Sequence, residues 1–165
     1  GYWHLSTRHD EWKAMSDCAL KSSAALIDSK LRSAKYQTII HGDAKFANLC
    51  FHQTNKAVAA VDFQYVGQGV GIKDLAYLVG SCLDNEQLFC LEPFILATYF
   101  HELKVALHKA GWQGSWSALE AEYTYLYPFA WADFYRFLKG WNPDSWKICS
   151  YMRVKTEYVL SKLTC

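Results

Sequence analysis

Three polar residues are the main candidates for a catalytic site in this sequence: Asp43, Asn48 and Asp62. Asp43 and Asn48 enclose a D-x-x-x-x-N segment, and Asp62 ends an apolar stretch further along the chain. Phosphoryl transfer to a hydroxyl needs a carboxylate that orients the hydroxyl and accepts its proton. It also needs oxygen ligands for Mg²⁺, which bridges the phosphate groups. The combination indicates a site for phosphoryl transfer, whereas no nucleophile arrangement supports a hydrolase that uses the same carboxylates.

The spacing of these residues matches the phosphoryl-transfer site of protein kinases. There the catalytic loop carries an Asp and, after four intervening residues, an Asn that binds the metal. A second metal-binding Asp, followed by Phe, comes at the end of the next strand. Asp62-Phe63 occupies that place here. A hairpin formed by residues 49–51 and 57–63 would bring Asn48 and Asp62 together.

Two segments, H-G-D-A-K-F-A-N at residues 41–48 and V-D-F-Q at residues 61–64, resemble motifs of the aminoglycoside phosphotransferase/choline kinase superfamily, relatives of the eukaryotic protein kinases. With K-D-L-A-Y at residues 73–77, the sequence looks most like the ecdysteroid-kinase-like (CHK-kinase-like) branch. The resemblance covers residues 36–83 by motif and the whole chain by architecture. It implies a small-molecule kinase with a hydroxyl acceptor, ATP as co-substrate and Mg²⁺ as cofactor.

The resemblance also implies a role for each matching residue. Asp43 would be the catalytic base, and Asn48 and Asp62 would be the Mg²⁺ ligands. His41 would organise the catalytic loop, and Asp74 would anchor that loop to the following helix without taking part in the reaction. From the residues alone, Asp74 is also well placed to cap the helix that begins there.

Four other residues have two interpretations each. Lys45 matches the position of a phosphate-contacting lysine in protein kinases, or it is a solvated surface residue. Trp131, Asp133 and Arg136 could line a pocket for the acceptor. Alternatively, the aromatic stripe around them is core, and Asp133 pairs with Arg136 across one helical turn.

A kinase of this type also needs an N-terminal lobe that covers the phosphates of ATP and holds them with a Lys–Glu pair. Residues 1–40 read mainly as one helix and contain no strand-borne lysine or glycine-rich loop. The glycines of residues 67–71 follow the metal-binding Asp, so they are not that loop. We therefore expect residues 1–165 to be a kinase-like C-terminal lobe, missing its N-terminal lobe and largely inactive alone. The alternative is a pseudokinase-like binding or scaffold module.

Hydrophobic periodicity indicates a mainly helical α+β fold, with helices packed around a small β-hairpin element that carries the catalytic and metal-binding loops. The predicted helices cover residues 10–34, 74–82, 92–110, 117–139 and 145–163. Asp10 is predicted to cap the first helix, and Gly140 to end the fourth. Residues 57–63 read as a strand buried on both faces, and the glycines of residues 67–71 as a break in regular structure.

Composition argues against several other classes of protein. The 17 Lys and Arg residues balance 16 Asp and Glu without a basic stripe, which argues against a nucleic-acid partner. Short apolar runs interrupted by charge argue against a membrane span, and no signal peptide is visible. The six cysteines form no C-x-x-C pair, so we expect reduced thiols in a cytoplasmic protein, with Cys50 and Cys82 packed as small hydrophobes.

Overall fold

The computed structural model describes residues 2–163, which form six α-helices and four short strands. The helices are α1 His9–Ala14, α2 Ala19–Arg32, α3 Ile72–Cys82, α4 Asn85–Lys109, α5 Trp116–Trp141 and α6 Ser150–Leu163. The strands are β1 Thr38–Ile40, β2 Leu49–Phe51, β3 Val58–Ala60 and β4 Gly67–Gly69. The mainly helical α+β architecture predicted from the sequence is confirmed. None of the helices in this part of the chain is long and apolar enough to cross a membrane.

Helix α5 is the centre of the core. It packs against α1, α2, α3 and α6. The predicted apolar stripe of this helix is buried: Leu119, Tyr123, Leu126, Ala130, Phe134 and Phe137. Burial of such side chains stabilises the fold by about 25 cal/mol for each Å² of apolar surface removed from water. The packed helices therefore form the support that holds the strands and loops.

The helix predicted over residues 10–34 is divided into α1 and α2. Arg8, not Asp10, is the residue that precedes α1 as its cap. Between the two helices, the Lys21 ammonium group donates to the backbone carbonyl of Met15 at 2.7 Å. The lysine thereby satisfies a carbonyl that the break in the helix leaves without its usual partner.

Gly140 does not end α5, contrary to the prediction. The helix continues to Trp141, and α1 passes so close to Gly140 that a methyl group there would collide with the backbone carbonyl of Glu11. The glycine therefore serves the close packing of two helices rather than the end of one.

Two other helix ends depend on contacts of side chains. Helix α4 begins earlier than predicted because Asp84 and Gln87 form a capping box, with the Gln87 N–H donating to Asp84 at 2.9 Å. Helix α6 begins later than predicted. The Asn85 side chain accepts hydrogen bonds from the Ser150 hydroxyl at 2.9 Å and the Tyr151 N–H at 3.0 Å. The start of α4 thus caps the start of α6.

Two antiparallel strand pairs carry the loops of the site. Strands β2 and β3 form the predicted hairpin, with Cys50 opposite Ala59. Strand β1 pairs with β4, with Ile39 opposite Gln68. The glycine-rich segment predicted to be irregular therefore contains a strand.

The hairpin is more exposed than predicted. All three residues of β3 are exposed, because the core helices pack against one another rather than over the hairpin. Cys50 and Cys82 are also exposed rather than packed. The five cysteines of the described residues are free thiols, and Cys165 lies outside those residues. Several large apolar side chains on the strands and on the turn after β3 are exposed, and we call this set the apolar strand face: Ile39, Phe51, Val58, Phe63 and Val66.

Candidate active site

The catalytic loop, residues 41–48, is fixed to α3 by the carboxylate of Asp74. Its two oxygens accept hydrogen bonds from the backbone N–H groups of His41 at 2.6 Å and Gly42 at 3.0 Å. Gly42 has a φ of 77°, the left-handed conformation that glycine adopts without strain. Burial raises the pKa of Asp74, and the two N–H donors oppose that rise. The capping role predicted for Asp74 is wrong, because Gly71 precedes the helix. The Asp74 carboxylate instead binds the loop, a contact of the kind that the anchoring role implied by the family resemblance requires.

Asp43 is buried at the centre of the loop, with 2% of its surface exposed. Its Oδ2 accepts hydrogen bonds from Lys45 Nζ at 3.0 Å and from Asn48 Nδ2 at 3.2 Å. Its Oδ1 is buried and accepts no hydrogen bond of ordinary length among the described residues, although the Tyr77 hydroxyl is close enough to interact with the carboxylate. A buried carboxylate oxygen without such a bond costs free energy, so it marks a position where a ligand donor would be favoured.

Lys45 pairs with the catalytic-loop carboxylate and is not simply a solvated surface residue. Its side chain is 36% exposed, while its ammonium group lies 3.0 Å from Asp43 Oδ2. The ammonium group is therefore both close to Asp43 and accessible from solvent.

The β2–β3 hairpin brings Asn48 and the segment of Asp62 together. The backbone N–H of Val61 donates to the carbonyl oxygen of Asn48 at 3.0 Å. The buried Asn48 side chain donates from Nδ2 to the Asp43 carbonyl oxygen at 2.8 Å, so its Oδ1 is left as a free acceptor. The Asp62 carboxylate is exposed and makes no hydrogen bond or ion pair within residues 2–163.

Asp62 has an unusual backbone conformation. With φ 65° and ψ 58°, it is the one non-glycine residue of the described chain with positive φ. Such conformations cost about 1–3 kcal/mol and concentrate at functional sites. The left-handed residue turns the chain from the hairpin into the 3₁₀ turn Phe63–Tyr65.

His41 links the catalytic loop to the hairpin. Its Nδ1 accepts from the Asp43 N–H at 3.3 Å, and its Nε2 lies 2.9 Å from the Val61 carbonyl oxygen. An accepting Nδ1 and a donating Nε2 are the roles of a neutral imidazole. The ring packs against Phe63, with 4.8 Å between the ring centroids. These contacts are of the kind that an organising residue makes.

One face of α3 lies against the catalytic loop. This helix face contains Tyr77, a residue of the site that sequence reasoning missed. Asp74 binds the start of the loop, and the Ser81 hydroxyl accepts from the Phe46 N–H at 2.7 Å near its end. Tyr77 lies between them on the same helix face, because residues three and four apart are neighbours. Burial first, and then the Asp43 carboxylate, raise the pKa of Tyr77. The hydroxyl therefore stays protonated beside Asp43.

Lys147 is a second residue of the site that sequence reasoning missed. It is half-buried in the segment between α5 and α6, and its Nζ lies 5.4 Å from the centroid of the Tyr77 ring. Burial first, and then the Lys45 ammonium group, lower the pKa of Lys147, while Asp43 opposes them. No local pattern could have identified this lysine, because tertiary packing alone brings its segment to the loop.

Trp131, Asp133 and Arg136 lie in the core, each with 0% of its surface exposed. Asp133 Oδ1 accepts from Arg136 Nη2 at 2.8 Å, and its Oδ2 accepts from Lys73 Nζ at 2.9 Å. Full burial is inconsistent with lining an acceptor pocket, because α5 is the central helix. The alternative interpretation, a core position with an Asp–Arg pair, is correct.

The end of the hairpin offers oxygen ligands for a divalent cation. The oxygens available to bind a metal are Oδ1 of Asn48 and the carboxylate oxygens of Asp62. The Oδ1 of Asp43 lies beside Asn48. Mg²⁺ prefers such oxygens, and at phosphate sites it uses one or two carboxylates together with phosphate oxygens. Residues 2–163 contain no cluster of three His, Cys, Asp or Glu side chains suited to a metal. These oxygens are fewer than Mg²⁺ needs, so phosphate or water would have to supply its other ligands.

The family model described as the ecdysteroid kinase-like family matches residues 3–112, a range that includes the catalytic loop, Asp62 and Asp74. No curated protein and no solved structure matches the chain.

Proposed function

The chain belongs to the ecdysteroid kinase-like family, and from this we propose that it is the catalytic lobe of an ATP-dependent phosphotransferase acting on a hydroxyl of a small molecule. The observation that carries the proposal is the buried Asp43 carboxylate. One of its oxygens is held by Lys45 and Asn48, and the other accepts no hydrogen bond of ordinary length among the described residues.

Asp43 acts as the base in this proposal. The acceptor hydroxyl donates its hydrogen bond to Asp43 Oδ1, which orients the hydroxyl oxygen toward the phosphoryl group. As the new O–P bond forms, the hydroxyl proton passes to the carboxylate, and the bond between the γ-phosphorus and the bridging oxygen of ATP breaks to release ADP. The Lys45 ammonium group, 3.0 Å from Oδ2, lies where it could balance negative charge on the phosphoryl oxygens.

Asn48 and Asp62 would hold Mg²⁺. Their free oxygens fit the preference of this ion, and the left-handed backbone of Asp62 lets its carboxylate leave the hairpin unpaired. Bound Mg²⁺ neutralises charge on the phosphates. Asn48 also fixes Asp43 through its amide nitrogen, so one side chain connects the base with the metal ligands.

We also propose that an N-terminal, nucleotide-clamping lobe docks on the apolar strand face. Ile39 is 79% exposed, and Phe51, Val58, Phe63 and Val66 are each more than half exposed. Exposed apolar surface of this kind is typical of a contact with another protein element. The face adjoins the hairpin that carries the proposed metal ligands, so a lobe seated there would reach the phosphates of ATP.

A reducing, cytoplasmic location is part of the same proposal. It is supported by the five free cysteines of the described chain, of which four are exposed. Exposed thiols persist in reduced form where glutathione and thioredoxin act. Thiol labelling of the protein from freshly lysed cells, without added reductant, should modify all of these cysteines.

Acceptor-dependent consumption of ATP by the full-length protein tests the proposed function. The assay uses a panel of alcohols, amino alcohols and steroids, and product analysis must find a phosphorylated acceptor. Asp43→Asn should lower kcat by about 100-fold or more, because the base is lost while the shape of the side chain is kept. The matched control is Asp17→Asn, which removes an Asp that pairs with Lys21 at 3.1 Å but is 99% exposed.

The assay also discriminates against the alternative, a pseudokinase-like scaffold. Calorimetric binding of ATP together with a complete absence of phosphorylated product would support the scaffold. An Asp43→Asn variant as active as the wild type would disprove the role of Asp43 as base.

A further inference from the structure

Lys147 is a cation placed beside the reaction site by tertiary packing. Its Nζ lies over the ring of Tyr77 at 5.4 Å and near the ring of Trp146 at 5.8 Å. The Tyr77 ring is itself buried against Trp3 and Phe134, with centroid distances of 4.4 and 4.8 Å. A rigid aromatic surface therefore supports the lysine side chain.

The face of α3 defines where this surface lies. Asp74 bonds to His41 and Gly42 at one end of the catalytic loop, and Ser81 bonds to Phe46 at the other. Tyr77 is between Asp74 and Ser81 on that face, so it lies against the middle of the loop, where Asp43 is. The ammonium group over Tyr77 is close enough to Asp43 for the carboxylate to favour its charge.

Lys147 has no carboxylate partner among the described residues. Lys45, Lys73 and Lys155 each form an ion pair, with Asp43, Asp133 and Glu92 respectively. The contacts of Lys147 Nζ are aromatic rings, and burial and the nearby Lys45 ammonium group disfavour its charge, which the Asp43 carboxylate offsets only in part. A half-buried cation in such surroundings is destabilised unless an anion joins it.

We propose that Lys147 is a catalytic residue that contacts the phosphoryl group during its transfer. Lys45 and Lys147 would then flank the group above Asp43, and both ammonium groups would bind its negatively charged oxygens. This inference rests on the proposed phosphotransferase function. Stabilisation of charge that develops in the transition state raises kcat more than it lowers KM.

Substitution of Lys147 in the full-length protein tests the proposal. Lys147→Met keeps the length and packing of the stem but removes the charge, and it should lower kcat by about 10–100-fold with a smaller change in the KM of the acceptor. Lys147→Arg should recover part of the lost kcat, because the charge is restored. The matched control is Lys104→Met, since Lys104 Nζ lies over the Trp116 ring at a similar distance, 5.5 Å, but between α4 and α5.

Chemical labelling gives a readout that does not require turnover. Acylation of lysines followed by peptide mass mapping should show Lys147 protected several-fold by the magnesium complex of ATP, with Lys104 unaffected. Lys147 labelled equally with and without this complex would overturn the inference, as would a Lys147→Met variant that matches Lys104→Met in kcat. Wild-type protein that protects Lys147 but forms no phosphorylated product would instead contradict the proposed function and leave a phosphate-binding role for Lys147.

Discussion

The backbone N–H of His41 donates to the carboxylate of Asp74 at 2.6 Å, and this bond joins the catalytic loop to helix α3. A second bond from Gly42 to the same carboxylate keeps the left-handed turn before Asp43 in place. The loop therefore takes its orientation from the helical core rather than from the hairpin alone.

Replacement of Asp74 should damage activity through the loop. We expect Asp74→Ala to lower kcat by about 10-fold or more and the free energy of unfolding by about 1–3 kcal/mol, because two N–H groups lose their acceptor. The control is Asp84→Ala, which also removes an acceptor of a backbone N–H but at the start of α4. It should cost about 1 kcal/mol of stability and leave kcat unchanged. Equal effects of the two variants on kcat would contradict the anchoring role.

Two substitutions of Asp62 separate its charge from its backbone strain. Both Asp62→Asn and Asp62→Gly should raise the Mg²⁺ concentration needed for half-maximal activity of the full-length protein, because a metal carboxylate is lost. Only glycine relieves the left-handed conformation, so Asp62→Gly should be more stable to urea than Asp62→Asn by about 0.5–1 kcal/mol. An unchanged Mg²⁺ requirement in both variants would argue against metal binding by Asp62.

The buried Asp133 should contribute a pH-dependent part of stability. Burial alone would raise its pKa, but Lys73 and Arg136 outweigh burial and lower the pKa from 3.8 to about 2. Because the pKa of Asp133 is lower in the folded than in the unfolded protein, its ionised form stabilises the fold. About 2 kcal/mol of the free energy of unfolding is therefore present at neutral pH and is lost as the pH falls from about 4 to about 2. Site-resolved ¹³C NMR titration of the carboxyl group is the measurement. A titration midpoint at or above 3.8 would show that the two cations do not control Asp133.

Gly140 should tolerate no side chain. Gly140→Ala is expected to lower the free energy of unfolding by about 1–3 kcal/mol, because the methyl group meets the backbone of Glu11, which cannot turn away as a side chain could. Gly67→Ala is the control, since a methyl group at Gly67 has no neighbouring atom within 4 Å. Urea unfolding of both variants measures the difference, and similar midpoints would mean that α1 adjusts at little cost.

The 165-residue chain by itself should show little transfer of phosphate. Its apolar strand face is open, so it should also bind a hydrophobic dye more strongly than the full-length protein does. Ile39→Ser should weaken dye binding to the isolated chain without lowering its stability, because Ile39 is 79% exposed. Robust turnover of ATP by the chain alone would contradict the need for a nucleotide-clamping lobe.

Features that depend on near neighbours in the chain could be predicted from the amino-acid sequence. Spacing and hydrophobic periodicity act over a few residues. They predicted the loop with Asp43 and Asn48, the hairpin that leads to Asp62, and the buried stripe of α5. The ecdysteroid kinase-like family could also be recognised from these motifs, because they are continuous segments.

Features that join distant segments depend on tertiary packing, and local sequence patterns did not predict them. Local pattern alone placed Asp74 as the cap of its own helix, and only the family resemblance implied the contact with the loop that the packing of α3 produces. The local pattern predicted a helix end at Gly140, whereas the glycine is needed because α1 crosses α5 there. Lys147 contacts Tyr77 because the segment before α6 folds back onto α3. Local propensity carries no information about which segments meet, since that is set by burial of the whole apolar surface around α5.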